Sequence, residues 1–457
     1  MTAPPARAVL ARQFGFASAT LLVVGGIIGS GIFFTPAEVA RALGGGPAIL
    51  GTWAAGGVVA LAGALTYAEL GAMMPDAGGA YAYIRAAFGR LPAFLCGWMI
   101  LAMIASGAIA AVAMSFAGYA ERHVPLGAVG GRLGLAALTI AALTAINVLG
   151  VRPGVWFQNT LTVVKSGALF GLIGLGLALW NAAPGATATA AIAAAPPAPA
   201  PLPPLRGIAT AFVAVLFTIG GWQQMNMVAG EIREPQRTIP RALATGIGIV
   251  IAIYLGANVV YLHALGRDGL AGSAAVAADT ATRLVGVRGA PAITLAAMVS
   301  ILGFTGVALI TNARVLFALG EDGAFLRAAA RVHPRWGSPH VALLLLGGWA
   351  LVLLLLTRGE FGQLLSGVVF ADWIFFGMGA ASVFVLRRTR PEAVRPYRVP
   401  GYPVLPAFFV LAALVGVVSA FLASPDTSLF GSALLGLGTV VHLVASRRQA
   451  ARERRVS

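Results

Sequence analysis

Long apolar runs separated by short polar stretches make up almost the whole of this 457-residue chain. Twelve runs are each about long enough to cross a bilayer core of roughly 30 Å as a helix. They cover 17–43, 47–74, 92–120, 132–150, 154–180, 206–232, 240–265, 289–318, 340–357, 361–386, 404–424 and 428–446. Within them Leu, Ala, Val and Gly follow one another without sustained alternation, so the pattern predicts helices and not a transmembrane barrel. The first run has few positive charges before it and no small-residue cleavage site, so it is expected to be retained as a span. The fold class expected is an all-α polytopic membrane protein with 12 transmembrane helices.

Composition agrees with the pattern. The chain is 59% hydrophobic and 10% charged, with a mean hydropathy of +0.88, more apolar surface than a soluble domain of this length can hide. The net charge of +16 would suit nucleic acid, but its placement does not. Twelve spans put alternate loops on the side of both termini, and 22 of the 30 arginines fall there, including those of "RRQAARERR". That asymmetry is the positive-inside bias, so both termini are expected in the cytoplasm, the basic tail facing anionic lipid, with no nucleic-acid partner. The single cysteine, Cys96, rules out a disulfide within the chain. A charge-free, Ala- and Pro-rich insert at 181–205 reads as an outer loop.

Two of the runs carry breaks. "VVGGIIGSGIFF" (Val23–Phe34) holds four glycines and a serine in twelve residues, poor material for a helix interior. Small residues there would also let neighbouring helices approach closely. The sixth run carries a second interruption, Gly220-Gly221 followed by Trp222, Gln223 and Gln224. Paired interruptions in corresponding spans of two halves point to a transporter site. The backbone freed at each break cannot stay bare in lipid and must line a cavity. N–H groups after Gly29-Ser30-Gly31 suit a carboxylate, while carbonyls at Ile27, Ile28, Phe217, Thr218 and Gly220 suit an ammonium. An α-amino acid carries both groups. The candidate substrate-binding residues are therefore Ile27, Ile28, Gly29, Ser30, Gly31, Phe217, Thr218, Ile219, Gly220 and Gly221. Phe217 and Trp222 are candidate gates, with simple packing as the alternative for each.

The same residues carry a family resemblance. "GGIIGSGIFFTP", "TYAELGAMMPDAGGAYAYIRAAFG", "FTIGGWQQMNMVAGEIREPQRTIPRAL", "TNARVLFALGEDG" and "FADWIFFGMGAASVFVLRRTRPEAVRPYRVPGYPVLP" resemble the amino acid–polyamine–organocation superfamily. The chain is most like its bacterial permeases and the L-type amino acid transporters. The resemblance, from about residue 13 to 447, implies a LeuT-type 5+5 inverted repeat with discontinuous helices 1 and 6. Residues 17–180 and 206–386 would be the two repeats. A cytoplasmic tail (1–16), a cytoplasmic loop with two added helices (387–446) and a basic tail (447–457) complete the chain. It further implies sodium-independent transport of an amino acid, by proton symport or exchange, in the bacterial inner membrane, with a neutral side chain suggested by the small, apolar spans. The alternative is a polyamine or other organic-cation permease. Family members often carry an aromatic where this chain has Ile219. Animal L-type members join an ancillary glycoprotein through an outer cysteine, which this chain lacks, so no disulfide-linked partner is expected.

Several polar residues stand out. Lys165, the only lysine, lies about a third of the way into the fifth span. In the sodium-independent members that the chain resembles, a lysine here supplies the charge that an ion gives elsewhere. Its ammonium is expected on span-one carbonyls around Gly25-Gly26 and on a span-eight hydroxyl, Thr305 or Thr311; the alternative is a stem that packs while its head reaches cytoplasmic water. Asp372, well inside the tenth span, is costly there by about 2.5–3.5 kcal/mol; proton coupling, a gate or a structural hydrogen bond are its possible uses. Glu69 is expected to pair with a loop arginine, and Arg314 to anchor the inner end of the eighth span. The histidines (123, 263, 333, 340, 442) are scattered without metal spacing. No GxSxG, HExxH or comparable cluster supports an enzyme, and no cofactor is implied.

Overall fold

A computed structural model describes residues 12–76, 78–121, 124–181, 200–273, 275–286, 289–358 and 362–456. Most of the N-terminal tail (1–11) and of the Ala/Pro-rich loop (182–199) lies outside the described residues. Among those described the regular structure is helical, apart from one isolated bridge between Phe14 and Ile232.

The first run is two helices, α1 (Phe16–Ile27) and α2 (Thr35–Ala42), separated by Ile28–Ser30 and a 3₁₀ turn at Gly31–Phe33. There follow α3 (Gly46–Met73), the amphipathic α4 (Ala80–Phe88), and α5 (Arg90–Met99) continuing through a π turn (Ile100–Ile104) into α6 (Ala105–Glu121). Helices α7 (Gly131–Val148) and α8 (Val151–Ala178) complete the first half. The sixth run is again divided, into α9 (Pro204–Ile219) and the short α10 (Gln224–Met227). Then come α11 (Pro235–Gly272), bent at Gly266, and the short α12 (Val276–Val285) and α13 (Gly289–Glu321). Helices α14 (His340–Leu356), α15 (Gly362–Thr389), α16 (Val404–Ala423) and α17 (Pro425–Val456) end the chain.

Among the described residues nine helices are long and apolar enough to cross a membrane, and Phe16–Ile27, Pro204–Ile219 and His340–Leu356 are shorter apolar helices. The chain is thus a polytopic membrane protein. Two of the three short helices are the outcome of the breaks. The broken α1 packs against α8, α11 and α13, and α9 against α2, α3 and α16, so both interruptions lie inside the bundle.

Charge is handled in the interior by pairing. Arg314 on α13 donates to both oxygens of Glu231 (2.6 and 3.1 Å) and to the Ile310 carbonyl (2.9 Å), with both side chains buried. Glu69 on α3 accepts two bonds from Arg387 (2.9 and 2.7 Å) and one from the Val399 amide (2.7 Å). Glu69 pairs with arginine as expected: Arg387 stands at the end of α15, and the loop residue Arg395 lies 3.6 Å from the same carboxylate. Bidentate guanidinium–carboxylate geometry is what lets a charge remain inside at tolerable cost. A smaller cluster outside the spans joins Tyr81 to Asp322 (2.8 Å), with Arg85 on the same carboxylate. Burial, then the hydrogen bond to Asp322, pushes the Tyr81 phenol well above its ordinary pKa.

Candidate functional site

The two breaks meet. After α1, Ile28 is extended (φ −73°, ψ 94°); after α9, Gly220 is extended (φ −67°, ψ 173°) and Gly221 takes φ +101°, a conformation that side chains disfavour. A Cβ on Gly26 would stand 3.0 Å from the Gly221 carbonyl, and one on Gly221 would run into Gly26. The glycines therefore allow backbone to touch backbone. A Cβ on Gly31 would lie 2.7 Å from the Thr218 methyl. The Tyr254 hydroxyl from α11 stands within reach of the carbonyls of both breaks, Ile27 (3.1 Å) and Thr218 (3.2 Å). Thr218 also donates to Thr35 (2.8 Å) across the junction.

One cavity of about 90 Å³ opens at this junction. Of the sequence-predicted residues, Ile27, Gly29, Ser30, Gly31, Phe217, Thr218, Gly220, Gly221 and Asp372 line it. Ile28 and Ile219 are buried away from it: the Ile28 carbonyl is taken by Lys165, and Ile219 faces Gly56 on α3. Trp222 is also absent from the lining. Its indole is wholly buried in edge contact with Tyr67 and Phe409, at 5.1 and 5.7 Å between centroids. That is a packing position; Phe217, half-buried and at the cavity, is the better placed of the two as a gate.

Lys165 is fully buried and donates to the carbonyls of Gly25 (2.9 Å) and Ile28. It does not snorkel to cytoplasmic water. The expected hydroxyl partners are corrected: Thr305 donates to Ile301 (2.9 Å), and the Thr311 hydroxyl lies within hydrogen-bond reach of Gln224 Oε1 (2.9 Å) and the Val307 carbonyl (2.8 Å). The α13 hydroxyl that serves the broken segment is Ser300, donating to Gly29 (2.9 Å) and lying 3.4 Å from the Ile28 carbonyl. The reason is helical geometry: five residues from 300 to 305 turn the side chain about 140°, and eleven residues to 311 move it about 16 Å along the axis.

Sequence reading missed part of the lining. Gln223 and Gln224 follow the second break, and Asn312 and Phe304 come from α13. Ile100, Ile104 and Ala108 arrive through the π turn, a feature frequent at functional sites. Gln223 Oε1 accepts from the Gly221 amide (3.0 Å), stabilising the break. Among the described residues no group of three His, Cys, Asp or Glu gathers to hold a metal.

Comparison with known proteins places this geometry. The family model for amino acid permeases matches residues 14–441. The b(0,+)-type amino acid transporter 1 of Mus musculus is 30% identical over 421 residues, covering 91% of this chain and 84% of that protein. The serine/threonine exchanger SteT of Bacillus subtilis (strain 168) is 29% identical over 446 residues, 96% and 98% of the two chains. The cystine/glutamate transporter of Homo sapiens is 28% identical over 437 residues, 95% and 84%. With the family match spanning nearly the whole chain, this integral membrane protein belongs to the amino acid permeases of the amino acid–polyamine–organocation superfamily, a family of transporters and not of enzymes.

Proposed function

We propose that this chain is a sodium-independent secondary carrier that moves an α-amino acid by alternating access. The observation that carries the reading is the junction of the two breaks, with Gly26 against Gly221 and one cavity at their meeting point. Amides following Gly29 and Ser30 receive the substrate carboxylate, since a helix start attracts negative charge. The carbonyls of Phe217 and Gly220 receive its ammonium, those of Ile27, Ile28 and Thr218 already having protein donors. The mostly apolar remainder of the lining favours a neutral side chain.

Residues 17–180 and 206–386 form the two inverted five-helix repeats of a LeuT-type fold, α14 and the divided helices bringing the crossings to twelve. Two added helices follow, and the arginine bias puts both termini in the cytoplasm of a bacterial inner membrane. Sodium independence rests on Lys165, whose ammonium already occupies the carbonyls of Gly25 and Ile28. A second cation at about 3 Å from it would be repelled by roughly 5 kcal/mol at an effective dielectric of 20. Cys96 is buried and free, so no disulfide-linked ancillary subunit is expected, unlike the partnership that the family resemblance implies for animal members.

Reconstitution tests the reading. Proteoliposomes offered a panel of radiolabelled amino acids should accumulate at least one without sodium. Stimulation by internal amino acid marks exchange, and stimulation by an inward pH gradient marks proton symport. Strict sodium dependence, or no uptake of any amino acid, would refute it.

A further inference from the structure

We infer that a basic cavity where α1 and α11 begin is a binding site for the phosphate headgroup of an anionic membrane lipid. It is separate from the cavity at the breaks and shares no lining residue with it.

Gly15 and Phe16 at the start of α1, with Arg233, Glu234, Arg237 and Arg241 before and along the first turns of α11, line a space of about 380 Å³. Its walls are held in place by backbone. The amides of Gln13 and Phe14 both donate to the Glu231 carbonyl (2.8 and 3.0 Å), and the Arg233 amide donates to the Phe14 carbonyl (2.9 Å). On the other side the Thr238 hydroxyl of α11 donates to the Arg233 carbonyl (2.7 Å). The segment carrying Arg233 is thus fixed between the two helix starts.

The charge on these walls is unbalanced. Arg237 and Arg241 are one turn apart and share a face of α11, and Arg233, Arg237 and Arg241 are all exposed. Glu234 is the single acid in the lining, so three guanidinium groups face one carboxylate. Among the described residues no ion pair engages any of these four, whereas Arg85, Arg314 and Arg387 each hold an acid. Guanidinium forks match the oxygens of a phosphate and bind it by paired, charge-assisted hydrogen bonds.

Position decides where that phosphate comes from. The cavity lies at the level where two spans begin, and Phe16 in its wall is 47% exposed. Aromatic side chains collect at the boundary between hydrocarbon and water. A lipid can lay its phosphate among the arginines and its glycerol against the ring while its acyl chains stay in the bilayer. A soluble phosphate has no use for Phe16. Basic pockets between spans at a membrane face are suited to such headgroups.

The test is a thermal titration of the full-length protein in detergent with short-chain phosphatidylglycerol, set against phosphatidylcholine of the same chains, glycerol 3-phosphate and inorganic phosphate. Phosphatidylglycerol should raise the melting temperature saturably, and the other three should not at equal concentration. Joint replacement Arg237→Gln and Arg241→Gln should raise the half-saturating concentration about tenfold or more. The control pair Arg388→Gln and Arg390→Gln removes two exposed arginines around the end of α15 and should leave it within about twofold. Gly15→Leu keeps every charge. A Cβ at Gly15 meets nothing within 4 Å, so this variant should fold, obstruct the cavity and weaken phosphatidylglycerol binding as the arginine pair does. It decides the matter if that pair fails to fold. Equal stabilisation by phosphatidylcholine, stabilisation by either soluble phosphate, an equal loss in the control pair, or unchanged binding in Gly15→Leu each overturns the inference. The titration requires no transport, so its outcome is independent of the proposed amino acid substrate.

Discussion

Replacing Lys165 removes a single charge from a place where three helices depend on it. Its ammonium on α8 holds the carbonyls of Gly25 and Ile28 at the end of α1, and Ser300 on α13 approaches the Ile28 and Gly29 carbonyls from the other side. Hydrogen bonds to charged groups contribute about 1.5–3 kcal/mol each, so the tether is worth roughly 3–6 kcal/mol in contacts. Against this stands the several kcal/mol needed to desolvate an ammonium. The two effects largely offset one another in overall stability, but they do not offset in position: without the ammonium the Gly25 and Ile28 carbonyls lose their donor from α8. If half of the lower figure, about 1.5 kcal/mol, sets the population of the transport-competent arrangement, uptake falls by about tenfold.

Lys165→Met is the sharper perturbation, because it keeps an unbranched stem in the packing and removes only the charge. Uptake into proteoliposomes should drop by tenfold or more in both Lys165→Met and Lys165→Ala, with thermal unfolding in detergent little changed for the Met variant. Sodium should not restore it. Hard cations are held by cages of about six oxygens, whereas the Lys165 ammonium holds two carbonyls, those of Gly25 and Ile28. Wild-type rates in Lys165→Met, or recovery on adding sodium, would refute the reasoning.

Gly31→Val should abolish substrate binding in a protein that still folds, since its Cβ alone stands 2.7 Å from the Thr218 methyl; normal uptake by a well-expressed variant would contradict the proposed carboxylate site, and Gly31→Ala with Thr218→Ala should recover part of the loss. Phe217→Ala should slow turnover with a small change in melting temperature, whereas Trp222→Ala, which empties an aromatic cluster, should cost about 3–5 kcal/mol of stability; equal thermal losses would undo the distinction. Glu231→Gln should destabilise by about 3–5 kcal/mol by leaving the buried Arg314 unpaired, and the double change with Arg314→Met should melt higher than Glu231→Gln alone.

The breaks were legible because they violate a local rule. Gly25, Gly26, Gly29 and Gly31 are poor helix formers in a run that otherwise must be helical, and such violations mark functional positions. What the sequence could not show was rotation. Helices such as α13 are apolar nearly all round, without the polar face that fixes the phase of a surface helix. Thr305 and Thr311 are therefore what the pattern offers Lys165, although it is Ser300 that reaches the broken segment. Trp222 stands two residues past Gly220 and reads as a cavity residue by proximity in sequence, yet the φ of +101° at Gly221 redirects the chain and sends the indole into the packing with Tyr67 and Phe409. The π turn at Ile100–Ile104 left no compositional mark, so its contribution to the lining could not be anticipated.

The distribution of interior charge gives these observations a common cause. Among the described residues the fully buried ionic side chains are Glu69, Lys165, Glu231 and Arg314. Each acid is neutralised by a forked guanidinium, and the lysine by carbonyls released where α1 stops being a helix. A membrane interior enforces this, because an uncompensated charge cannot borrow water. The broken helix thus has a role besides the substrate binding proposed for it: the carbonyls it releases hold the Lys165 ammonium. Asp372 stands outside that pattern, half-buried on the wall of the cavity where the two breaks meet.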